Sequence, residues 1–198
     1  MSDTRVALVV GLLTAQLLVS GALFVLLVPV AFETLGTGEA GFGGLLGALG
    51  VGGLVGAATA LALVGRRLST ALAVAIVLWG APIALLALFD THAAALVLVG
   101  VIGFANTVGD VAGFTLLQRA VPEEVLARVF AILESLFYGA TALGAILAPL
   151  AIAGLGLRGA LVATGLLLPA LVALSWRHVR SIDAGAWRLR LPWGRWRL

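Results

Sequence analysis

The chain has no cysteine and no lysine among its 198 residues; all twelve of its basic side chains are arginine. Without cysteine there are no disulfides, no thiolate metal sites and no thiol nucleophile, and nothing is said about redox compartment. Charge is also scarce, at 11% of residues against roughly 25% in an ordinary soluble domain. With 62% hydrophobic residues and a mean hydropathy of +1.19, the chain has too little polar surface to cover a globule in water. It reads as an integral membrane protein. Only six prolines accompany the 26 glycines, and the glycines sit inside apolar runs, so disorder is not the reading. Strict apolar/polar alternation is missing as well, which excludes a membrane barrel and leaves an all-α fold.

A helix crosses the hydrocarbon with about 20 apolar residues at 1.5 Å each, so the few charges act as fence posts between spans. Six transmembrane helices emerge: 6–32, 40–65, 68–89, about 93–118, about 129–150 and 159–176. The fourth contains Asp110 and the fifth Glu134. The first run is too long for a cleaved signal peptide, whose apolar region is about 7–15 residues, and is expected to stay in the mature protein. Residues 1–176 form a six-helix transmembrane domain; 177–198 form a tail rich in Arg and Trp. Positive loops stay in the cytoplasm. Arg5, Arg66, Arg67, Arg119, Arg128 and six tail arginines make eleven on one side, and Arg158 stands alone on the other with Glu33, Glu39 and Asp90. Both termini are therefore expected to be cytoplasmic, in a plasma (inner) membrane.

Six spans with both ends inside match one half of a twelve-helix secondary transporter. The stretch Leu116-Leu117-Gln118-Arg119-Ala120-Val121-Pro122-Glu123-Glu124-Val125-Leu126-Ala127-Arg128-Val129-Phe130 resembles the loop between helices ten and eleven of major facilitator superfamily exporters. Gly65-Arg66-Arg67 resembles the short basic loop between their helices eight and nine. The family's fuller loop signature places an aspartate before a basic-glycine-basic run, and only Gly-Arg-Arg stands here. The resemblance, from about residue 6 to 176, implies the C-terminal half of such a transporter, with two inverted three-helix repeats whose first helices line a cavity. The Pro-Glu-Glu turn also has a plain reading: Pro122 suits a helix's first turn and the glutamates favour its positive end.

Polar side chains in hydrocarbon usually face the bundle interior or water. Gln16 and Ser20 share one face of the first span, Asn106 and Asp110 one face of the fourth, and Glu134, Tyr138 and Thr141 one face of the fifth. At 1.5 Å per residue from the nearest arginine, Gln16, Asn106 and Tyr138 lie roughly 15–20 Å deep, and Asp110 and Glu134 roughly 9–14 Å. The pathway candidates are therefore Gln16, Asn106, Asp110 and Tyr138, and the cytoplasmic gate candidates Arg66, Arg67, Arg119, Arg128 and Glu134. Asp110 reads either as a group that takes up a proton or pairs with a cationic substrate, or as a structural partner of Arg66, Arg67 or Arg119. Gln16, Asn106 and Tyr138 equally fit helix–helix hydrogen bonds. Spans three and six, with Trp79 and Trp176, read as lipid-facing.

Gly44, Ala48, Gly52, Gly56 and Ala60 recur every four residues along span two. Small residues at that spacing let helix backbones approach closely in lipid, so Ala48, Gly52 and Gly56 are read as a packing face. The tail suits an anionic membrane surface; tethered beside span six and lacking a recognition fold, it is not read as binding nucleic acid. His92 and His178 lie outside the spans, and neither a zinc motif nor a phosphate loop occurs, so no enzyme, metal site or cofactor is expected. The expected function is transport of an unknown small molecule, as secondary and proton-coupled efflux, in a lipid bilayer and with a second six-helix unit, either a copy of the chain or a separate half. The alternative is a non-transporting scaffold, an assembly subunit or a degenerate fragment. The orientation predicts that cysteines placed at Thr37 and Thr91 react with a membrane-impermeant reagent from outside the cell, whereas cysteines at Ser69 and Ser181 stay unlabelled; the reverse pattern refutes it.

Overall fold

The computed structural model describes residues 4–63, 68–120 and 123–184, with side chains described for 10–60, 70–118, 127 and 130–175. Five helices follow one another: α1 (Thr4–Pro29), α2 (Gly38–Leu63), α3 (Leu68–Leu85), α4 (His92–Ala120) and α5 (Glu123–Ala184), and no strand occurs among the described residues. Chains of Leu, Val, Ala and Gly take this form in lipid because a helix satisfies its own backbone where no water can. Four of the described stretches are long and apolar enough to cross a membrane: Val10–Thr34, Gly38–Ala60, His92–Gln118 and Phe130–Ser175. Thr70–Leu85 is apolar but shorter.

The count by length is therefore four rather than six, because two of the expected spans are merged and one is short. Phe130–Ser175 is 46 residues long, about twice what a crossing needs, and Gly156 breaks α5 at φ 70°, ψ 169°. Only glycine enters that region without strain. The chain folds back there into two arms, 123–155 and 157–184: Ala148 and Ala151 of the first line the same small cavity as Ala163 and Thr164 of the second, with Leu18 and Ala22 of α1. The second arm runs on to Ala184, past the expected end of the transmembrane domain at Trp176.

Pro29, which has no N–H, ends α1, and a π turn follows over Val30–Thr34, closed by Leu35 N–H donating to Val30 O at 2.9 Å. Gly36 and Gly38, at φ 60° and 61°, then reverse the chain into α2. At the end of α3, Leu86 N–H still reaches Pro82 O, and two tighter turns lead into α4. Buried Leu72, Ile76, Trp79, Ile83 and Leu86 alternate four and three apart along one stripe, the helical signature of a core face. The reading of span three as lipid-facing is thus corrected: α3 packs against both α4 and α5. In the second arm, Leu161, Leu168 and Val172 are buried and only Leu166, Leu167 and Leu174 among its leucines stand exposed.

The principal pairings are α1 with α5, α2 with α4, and α3 with both α4 and α5. Glycines sit at the crossings. A Cβ on Gly21 would collide with the Thr141 carbonyl, and one on Gly144 with the Leu18 carbonyl. Between α2 and α4 the same exchange recurs: Gly52 against the Gly100 carbonyl, Gly103 against that of Leu49. In all four cases the carbonyl belongs to the residue three before the facing glycine. Gly80 of α3 and Gly165 of the second arm face each other, a Cβ on Gly80 falling 2.6 Å from Gly165 O. Along α2, Gly56 packs on the Phe104 carbonyl and Ala48 O stands 3.6 Å from where a Cβ on Gly100 would lie. Packing drives association in lipid, so these contacts hold the bundle. Gly52→Ala is expected to destabilise the detergent-solubilised protein by about 1–3 kcal/mol through backbone displacement, whereas Gly47→Ala, at a position open on all sides, leaves it unchanged or firmer. Thermal unfolding of the two variants side by side checks both.

Candidate functional site

Gln16 is the one buried polar side chain of the described core, 2% exposed. Its Nε2 donates to Asn106 Oδ1 at 3.2 Å and to Asp110 Oδ1 at 3.4 Å. Trp79 Nε1 donates to the same Asn106 Oδ1 at 2.9 Å, and Asn106 Nδ2 donates to Asp110 Oδ2 at 2.9 Å. One cluster therefore joins α1, α3 and α4 and, among the described residues, holds a carboxylate on neutral amide donors.

Local structure explains the convergence. Asn106 and Asp110 stand one turn apart on α4, so one amide and one carboxyl project in the same direction. Gly109 beside them carries no side chain, and the Gln16 amide lies over it: a Cβ there would be 3.5 Å from Gln16 Oε1 and 3.4 Å from the Cβ of Ala75. Small residues on α4 and α3 thus clear the space that the α1 amide fills. Asn106 Oδ1 accepts twice and Gln16 Nε2 donates twice, which uses up both groups. Gln16 Oε1, also buried, meets no donor. One turn further along α4, Phe114 stacks on Phe130 at 5.8 Å between ring centroids and meets Phe137 edge-on at 6.2 Å, an aromatic bridge from α4 to the first arm of α5.

Of the four pathway candidates, the structure brings Gln16, Asn106 and Asp110 together and leaves Tyr138 apart. Tyr138 is 77% exposed on the first arm. The arm turns Ala140, Gly144 and Ala148 inward, and Tyr138 lies off that face. Thr141, grouped with it by spacing, returns its hydroxyl to Phe137 O at 3.0 Å. Trp79 is the member that sequence reasoning missed: it is 2% exposed and not at an interface. An indole in an apolar run reads as an interfacial anchor, and nothing in its local spacing points to Asn106. Glu134 is exposed and forms no ion pair with a described residue. Arg66 and Arg67 lie outside the described residues, and so do the side chains of Arg119, Arg128 and Trp176.

No family model, curated protein or solved structure matches the chain.

At the end of the bundle carrying the α1–α2 and α3–α4 turns, Arg158 pairs with both Asp90 oxygens at 3.1 and 2.9 Å. Glu33, Thr34, Asp90, Gly156 and Arg158 line an open cleft of about 540 Å³ there. The pair is more than half exposed on both sides and contributes at most about 1 kcal/mol. The scattered hydroxyls of Thr14, Thr59, Thr107, Thr115 and Ser135 each bond the carbonyl four residues back, which satisfies them within their own helix. Among the described residues no group of three or more His, Cys, Asp or Glu side chains could hold a metal ion.

Asn106→Leu removes the partner of Trp79, Gln16 and Asp110 at once. At about 0.6–1.7 kcal/mol per bond in a membrane protein, it is expected to lower stability by about 2–5 kcal/mol in detergent unfolding. Thr59→Val, which loses a bond only to its own helix, should stay within about 0.5 kcal/mol.

Proposed function

We propose that this chain is a half-transporter of the major facilitator type: six membrane crossings, both termini cytoplasmic, with a pathway for a small molecule that closes against a second six-helix unit in the plasma membrane. The observation that carries the reading is the Gln16–Asn106–Asp110–Trp79 cluster, which, among the described residues, places a carboxyl group between helices on neutral donors. Ionisable groups inside a membrane protein mark ion or substrate paths by default.

The fold supports it from a second direction. Counting the two arms of α5 separately gives six rods. Exchanging α1 with α4, α2 with the first arm and α3 with the second turns the Gly21/Gly144 crossing into the Gly103/Gly52 crossing. It also returns Gly80/Gly165 to itself. Such an exchange is what two inverted three-helix repeats would produce. Glu33, Asp90 and Arg158, assigned to one side by charge counting, stand at one end of the bundle. That fits an even number of crossings.

One observation favours the scaffold reading instead. The amides of Gln16 and Asn106 are bonded to each other and to Trp79, as side chains that merely join helices would be. Reconstitution in vesicles under a proton gradient separates the two. The transport reading expects flux of a small molecule by an assembly of at least two units, and a collapse of that flux in Asp110→Asn with assembly retained. No flux across a broad panel of small amphipathic molecules, together with a strict monomer by mass in mild detergent, moves the assignment to the scaffold.

A further inference from the structure

The Gln16–Asn106–Asp110–Trp79 cluster has more accepting positions than N–H groups. Both Gln16 N–H groups and both accepting positions of Asn106 Oδ1 are taken. One Asn106 Nδ2 N–H is left over; among the acceptors, unfilled are the Gln16 carbonyl oxygen, buried and without any partner, and the lone pairs that Asp110 keeps after one bond to each oxygen. Each stands on a different helix, and Gln16 Oε1 lies against Gly109, next to Asp110. An ionised Asp110 also has no positive partner within the cluster. A buried acceptor without a donor is destabilising by itself, and a half-buried carboxylate that meets only amides among the described residues takes no counter-charge from them. The same ligand can supply both missing things.

Three kinds of ligand offer something to such a site. Water gives donors and no charge. A bare metal ion gives charge and no donors, and finds few free oxygens here, since Asn106 Oδ1 already accepts two N–H groups. An ammonium group gives a positive charge and up to three donors in different directions, matching one carboxylate and one carbonyl on neighbouring helices. Asn106 and Asp110 are only half-buried, which leaves the carboxylate reachable while Gln16 closes the far side. We infer that the Gln16–Asp110 cluster is a binding site for an amine cation, whose N–H groups bond Gln16 Oε1 and the Asp110 carboxylate. The inference rests on the transport reading only in making that amine the cargo; the site itself is testable by binding.

The test uses the full chain in lipid nanodiscs with Trp176, Trp187, Trp193 and Trp196 replaced by Phe, so that Trp79, bonded to Asn106, is the sole indole. Benzylamine, benzyltrimethylammonium and benzyl alcohol are titrated against its emission, with empty nanodiscs subtracted. Expected is a saturable shift with benzylammonium at an affinity at least ten-fold above the other two, since one has charge without donors and the other a donor without charge. Asp110→Asn should lose that preference. Equal binding of the three probes by the parent, which needs no variant to fold, overturns the site. So does acidification alone giving the full shift with no further effect of amine, which would assign the site to a proton. So does undiminished benzylammonium binding by Asp110→Asn. Selective binding without vesicle flux leaves the site standing and removes transport; flux without amine selectivity does the reverse.

Discussion

Three glycine pairs decide how close the helices of this chain stand, and that spacing decides what its buried side chains can reach. Lipid tails are as apolar as leucine, so helices gain nothing by hiding leucine from them; what remains is packing and hydrogen bonding. At Gly21/Gly144, Gly52/Gly103 and Gly80/Gly165 one backbone rests on another with no side chain between. Dispersion falls steeply with separation, so a single methyl group at any of these points forces the whole crossing apart. At Gly109 the fit is looser, a Cβ there making ordinary contact with Ala75 and Gln16, and the α1 amide reaches over it to an amide and a carboxylate 90 and 94 residues later in the chain.

The parts of this arrangement that repeat locally are legible in the sequence, and the parts joined only through space are not. Charges bound the apolar runs, and Gly154-Leu155-Gly156-Leu157-Arg158 shows as a connection; the structure narrows that connection to one non-helical residue, Gly156. Small residues every four along α2 show as a stripe, and in the structure Gly52 and Gly56 face α4. Asn106 and Asp110 show as a pair because a helix puts residues four apart on one side. The same logic groups Tyr138 with Glu134 and Thr141, but periodicity says which residues share a face and not which face turns inward. That is set by α1 lying against Thr141 and Gly144. Trp79 was lost for a different reason: its one polar atom is balanced by a single acceptor on another helix, 27 residues on.

Exposure is unevenly shared among the rods, and in lipid it has a meaning opposite to that in water. Leu54 and Val51 on α2 are 74% and 62% exposed, and Ile132, Ile146 and Leu150 on the first arm of α5 about as much. On a soluble protein such faces would be an aggregation hazard. Here they are ordinary surface toward hydrocarbon or another apolar helix. Half of the α1 stretch is buried against 17% for α2. The helices that hold the polar cluster are thus among the more enclosed, and on the outer rods the hydroxyls of Thr59 and Ser135 return to their own backbones.

The cluster's bonds are unequal in length. Trp79 to Asn106 has the usual N–H···O length, 2.9 Å, whereas the two bonds from Gln16 are 3.2 and 3.4 Å, at and beyond the long end of the range. α3 also packs along α4, while α1 and α4 hardly touch by backbone and α1 leans on α5 instead. The seam between α1 and α4 is closed by side chains, Gln16 on Asn106 and Asp110 and Leu13 against Gly113. Two membrane hydrogen bonds at about 0.6–1.7 kcal/mol each amount to about 1–3 kcal/mol, which a ligand of ordinary micromolar affinity, near −8 kcal/mol, can offset through differential binding.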